Sequence, residues 1–140
     1  MTLAAARSAV PVRSRSDVWL LVVAQYGYAA WFAVCVYLAL ARAAQLAGHW
    51  YVPAANDAFT GNADIMAGWA WASPVTTTLS SAWMVLPVAL IASAVSFLFG
   101  YTSGRRALSV ALIGSTIAML LTAVAASTPV IHSISGWLID

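Results

Sequence analysis

His49 and His132 are the only imidazoles in the sequence. With Cys35 and the carboxylates of Asp17, Asp57, Asp64 and Asp140 they make up its whole stock of His, Cys, Asp and Glu side chains. A haem or metal site would have to draw on the two histidines, yet both fall outside the long apolar runs, where three-helix haem anchors carry their ligands. A single cysteine can form neither an intrachain disulfide nor a thiolate cage. No metal site and no cofactor are expected from this set, although the sequence leaves haem or pigment open. No acid lies within an apolar run, no Ser/His/Asp spacing suggests a nucleophile, and no glycine-rich phosphate loop occurs. The chain is expected not to be an enzyme.

The stretch "NDAFTGNAD", residues 56–64, offers five oxygen-bearing side chains. It lacks the D-x-[DN]-x-[DN]-G spacing and the terminal Glu of a calcium loop, so it reads as a polar turn with caps. Gln25 and Tyr28 lie three residues apart on one face of an apolar run. Polar groups at membrane depth must be hydrogen-bonded, so the pair reads as glue between helices or as contacts to a quinone, lipid or pigment headgroup. Arg42 sits in the last turns of the same run. Its guanidinium either reaches interfacial phosphate by lying its stem along lipid or pairs with a carboxylate such as Asp57 or Asp64, because an unpaired charge at depth is costly.

The elements that must position these groups follow from composition. Hydrophobic residues make up 63% of the chain and charged ones 7%, against about 25% charged in soluble domains. The expected fold is an all-α integral membrane protein with three transmembrane helices. About 20 apolar residues are needed to span, and three segments qualify: 18–48, 79–100 and 107–126. Ser16 or Asp17 could cap the first, and the threonines before Leu79 the second. Residues 1–16 form a tail without the apolar core of a signal peptide. Residues 49–78 form a long outer loop, in which "NADIMAGWAWA" predicts a short interfacial helix. Residues 101–106 form a short loop and 127–140 a second interfacial segment.

Arg7, Arg13 and Arg15 precede the first span, and Arg105 and Arg106 follow the second. The positive-inside rule makes both regions cytoplasmic, with the C-terminus outside the plasma membrane. Most of the tryptophans fall near a predicted headgroup level, where such rings prefer to sit. Trp31 lies at depth and needs a partner for its indole N–H. Pro87 interrupts the second helix and removes the amide that would serve the carbonyl of Trp83. The arginines form no basic stripe, so nucleic acid is not an expected partner.

Small residues recur at intervals of four: Gly114, Ala118, Thr122 and Ala126; Ala92, Ser96 and Gly100; Ala39, Ala43 and Ala47. Such stripes let membrane helices approach closely. Three spans cannot use all of them internally, so some are expected to meet other membrane subunits or copies of the chain, with Arg42 at the outer rim. The functional expectation is a non-catalytic accessory subunit of a larger plasma-membrane complex, respiratory or otherwise energy-transducing. Its rivals are a self-assembling, holin-like pore and a cofactor- or lipid-binding anchor that uses His49, His132, Gln25 and Tyr28. Lipid contact is expected in every case.

Overall fold

The computed structural model describes residues 13–61 and 63–139. Four helices follow in order: α1 (Arg13–Ala47), α2 (Ala72–Leu98), α3 (Arg106–Ala126) and α4 (Pro129–Ile139). There are no strands among the described residues. The first three helices are each long and apolar enough to cross a membrane. They form a three-helix bundle, and α4 packs across one end of it.

The spacing of buried residues explains the packing. On α3 the inward positions are Leu108, Leu112, Ser115, Met119 and Thr122. On α2 they include Val75, Leu79, Ala82, Leu86, Ser93 and Ser96. Steps alternating between three and four residues hold one seam toward the partner helices, the pattern of left-handed bundles. Side chains off these seams, such as Leu20, Val88, Ile91, Leu121 and Val124, are each more than 60% exposed. That is the aliphatic surface a lipid-facing helix presents.

Two apolar cores result. A small one near the end that carries Arg105 joins Val18 and Val22 to Leu108 and Leu112. A larger one joins Phe32, Cys35, Ala39 and Ala43 to Val75, Leu79, Leu86 and Met119, and is closed by Ile134, Trp137 and Leu138 of α4.

Several element boundaries differ from the sequence expectation. The first helix begins at Arg13, so Ser16 and Asp17 lie inside its first turns instead of capping it. The second begins at Ala72, about two turns before Leu79. Pro74 falls in its first turn, where no amide is required. Thr78 donates to the carbonyl of Pro74 at 2.7 Å and Ser80 to that of Thr76 at 2.8 Å. Hydroxyls bonded to their own helix need no loop and no water. The segment before α2 is correspondingly shorter, and residues 63–71 form successive turns in place of a short helix. The C-terminal segment is helical, and its apolar side is buried in the larger core. Residues 1–12, with Arg7, fall outside the described residues, as do Asn62 and Asp140.

Gly100 has a clear backbone role. Its φ is +67°, its amide donates to Phe97 at 3.1 Å, and the amide of Tyr101 donates to Ser96 at 3.2 Å. This pair of bonds is a Schellman stop. Its left-handed residue is most easily a glycine.

Candidate functional site

Between the two cores lies a polar layer centred on Gln25, whose side chain is 2% exposed. Its Nε2 donates to the carbonyl of Ala89 at 3.0 Å and to Ser93 Oγ at 2.7 Å. Its Oε1 accepts from Ser115 Oγ at 2.7 Å. One amide thus ties all three spanning helices together, with both of its N–H groups and its oxygen satisfied. Tyr28, one turn on, behaves differently. Its hydroxyl is buried and meets no hydrogen-bonding group among the described residues.

Trp31 resolves its depth within the bundle. Its Nε1 donates to Thr78 Oγ1 at 2.9 Å, and its ring lies 6.2 Å from that of Trp71.

Arg42, part-buried, reaches the loop that closes the bundle. Its Nε donates to the carbonyl of Ile65 at 3.2 Å and a terminal nitrogen to that of Ala67 at 2.9 Å. Asp64 grips the same turn from its amide side, accepting from Met66 N and Ala67 N, each at 3.1 Å. The guanidinium and carboxylate therefore act on opposite poles of one turn. The partners of Arg42 here are backbone carbonyls, not the Asp57 or Asp64 carboxylates.

A second knot fastens α4. Trp137, 2% exposed, donates its indole N–H to Thr60 Oγ1 at 2.7 Å. Thr60 Oγ1 lies 3.3 Å from Asp57 Oδ2, which also accepts from the Tyr51 hydroxyl. The amide of Phe59 donates to Asp57 Oδ1 at 3.0 Å. Partial desolvation pushes the Asp57 carboxyl upward, but donation from Phe59, Tyr51 and Thr60, with His49 nearby, holds it below its ordinary range. Tyr51 is pushed above its ordinary range by desolvation first and then by its bond to Asp57. The rings of His49, Tyr51 and Phe59 pack on one another with centroids 5.0 to 5.4 Å apart.

The histidines occupy different neighbourhoods. His49 belongs to this aromatic cluster, whereas His132 lines a groove of about 490 Å³ between α2, α3 and the face of α4. Among the described residues no three His, Cys, Asp or Glu side chains gather as a metal site would require.

The small-residue stripes lie largely inside the molecule. Ala39 and Ala43 are fully buried, and Ser96 and Thr122 nearly so. Ala92 and Ala118 are half-buried. The Tyr26 hydroxyl lies directly over Gly114, where a Cβ would meet it. On the outer side of α1, Gly27, Ala30 and Ala33 remain exposed, and no atom lies within 4 Å of where a Cβ on Gly27 would be.

Ser93 and Ser115 were not singled out by sequence reasoning, and Thr60 and Trp137 were read only as parts of the 56–64 polar turn and of the tryptophan belt, not as a pair. The serines could have been found by depth. Gln25, Ser93 and Ser115 each lie about seven or eight residues from the arginine-bearing end of their span. Thr60 and Trp137 had no such signal, being 77 residues apart with no shared periodicity.

Three long apolar helices tied by a central amide, with one end closed by a loop and a fourth helix, define a class: a helical bundle consistent with a multi-pass membrane protein. No protein family, curated protein or solved structure matched the chain.

Proposed function

We propose that the chain is a non-catalytic accessory subunit that docks in the plane of the plasma membrane on a larger complex. The observation that carries this reading is the bare small-residue face of α1 at Gly27, Ala30 and Ala33. Helices in lipid associate through close packing at such faces. The polar groups of the spans support the same view, because Gln25 and Trp31 are committed to holding the bundle together.

In this reading Arg105, Arg106 and the start of α1 face the cytoplasm, in keeping with the positive-inside rule. The loop from 48 to 71 and α4 form an outer layer at the opposite interface. Arg42 stiffens that layer beside any neighbour.

The test is a photo-crosslinking amino acid at position 27, with position 124 on α3 as the comparison, followed by mild-detergent purification from the native membrane. Position 27 should crosslink to one foreign membrane subunit recovered in stoichiometric amount, and position 124 should not. Crosslinks only between copies of this chain, with ion leakage in liposomes, would instead identify a self-assembled pore and overturn the subunit reading.

A further inference from the structure

The groove between α2, α3 and α4 has a graded lining. Its deep part is apolar, with Leu86, Pro87 and Leu90 from α2 and Ala123 from α3. Its mouth, the end toward α4, carries Ser80, Ser127, His132 and Ser135 beside the apolar Leu79, Ile131 and Ile139. The gradient runs along the bundle axis, and the mouth coincides with the expected edge of the hydrocarbon. Counting about 20 residues back from Leu98 along α2 reaches the region of Leu79 and Ser80. The 21 residues of α3 end at Ala126, immediately before Ser127. Two helices thus place the same boundary at the groove's polar rim.

At that rim His132 and Ser135, three residues apart on one face of α4, both line the groove. Neither side chain makes a hydrogen bond to the described residues. The volume of about 490 Å³ lies within the roughly 300–1,000 Å³ typical of small-ligand sites, and clefts between bundle helices are a usual location for them.

We propose that this groove is a phospholipid site. One acyl chain lies along Leu86, Pro87 and Leu90, and the phosphate-ester headgroup is held by His132 and Ser135. An imidazole N–H and a hydroxyl are donors suited to phosphate and ester oxygens. A quinone ring would want a flat slot, whereas the lining is largely aliphatic and Trp83 is its one Phe, Tyr or Trp ring. The site goes beyond the docking role and does not depend on it, because it is built wholly from this chain and lies on helices other than α1.

The test is native mass spectrometry of the full-length, delipidated protein titrated with dioleoyl-phosphatidylglycerol and, in parallel, with a menaquinone. The wild type should retain one phosphatidylglycerol at concentrations where menaquinone is not retained. Ala126→Phe, which fills the groove, should abolish retention. The double variant His132→Ala/Ser135→Ala should weaken it by roughly tenfold or more, as expected for two lost hydrogen bonds. Val23→Phe, on the exposed face of α1, should change nothing, and circular dichroism reports whether each variant keeps its helices. Undiminished phosphatidylglycerol in the double variant would overturn the site even if Ala126→Phe failed to fold. Preferential retention of menaquinone would overturn the phospholipid assignment.

Discussion

Gln25 and Tyr28 share a helix face and a depth, yet the structure gives them opposite energetic signs. Gln25 satisfies three bonds at once. Its serine partners also have fallback acceptors, Ser93 on Ala89 at 3.1 Å and Ser115 on Leu112 at 3.1 Å. Removing the amide therefore strands no hydroxyl, and interhelical hydrogen bonds in membranes average only about 0.6 kcal/mol. Gln25→Leu should destabilise the bundle by about 1–2 kcal/mol in a reversible unfolding assay in bicelles. Tyr28→Phe should be neutral or stabilise by about 1 kcal/mol, because it deletes a buried hydroxyl that has no described partner. A loss on Tyr28→Phe would mean that the hydroxyl meets a lipid or another subunit. The Asp57 knot has its own pH window. Its carboxyl is held below the ordinary range, so its contribution is present above about pH 4 and is lost as pH falls further. Tyr51 is raised, so its contribution is present below about pH 10 and is lost as pH rises past that. Amide exchange at Phe59, Thr60 and Gly61, corrected for intrinsic rate, should stay flat between about pH 5 and 9. A drop in protection inside that window would show that neither Asp57 nor Tyr51 controls the loop.

At the scale of the helix, a residue's smallness matters only where a neighbour occupies the space. Gly114 and Ala43 both belong to stripes that the sequence alone cannot rank. The atom over Gly114 is the far end of the Tyr26 side chain, and Tyr26 is 46% exposed. It can swing toward lipid at small cost. Alanine also gains up to about 1 kcal/mol in helix propensity over glycine, so Gly114→Ala should leave stability unchanged or slightly raised. Ala43 is fully enclosed in the larger core. Ala43→Leu has nowhere to place its added carbons and should cost about 1–3 kcal/mol, measured in the same bicelle assay. Equal effects at the two sites would contradict the packing described here. Gly100 makes the related point that a regular interval can mislead. It continues the Ala92 and Ser96 spacing by position, but it is a helix stop with φ of +67°.

For the molecule as a whole, the spans were legible because bilayer thickness alone dictates their length and composition. The start of α2 was not, since Pro74 and the threonines after it have loop-like local preferences. The helix meets these at Thr78 through the carbonyl of Pro74, while the buried Thr76 hydroxyl has no partner among the described residues. The loop knot was also hidden, because α2 and α3 lie between Thr60 and Trp137 in the chain. Sidedness is a different kind of property, set by charges that contact nothing in the core. Arg105 and Arg106 are exposed at the turn between α2 and α3, and α1 starts at the same end with Arg13. The opposite end carries Arg42, whose charge is spent on the carbonyls of Ile65 and Ala67 within the closing loop. The positive-inside rule counts arginines in short loops and close to span ends, so the balance favours a cytoplasmic Arg105 end. In a Cys35→Ala background, Arg105→Cys should react with a membrane-impermeant maleimide only after the cells are opened. Ala63→Cys, exposed in the closing loop, should react on intact cells. Labelling of both sites on intact cells would refute a three-span crossing. The reverse pattern would show that Arg42 outweighs the paired arginines, and moving it by Arg42→Gln should then restore the expected orientation.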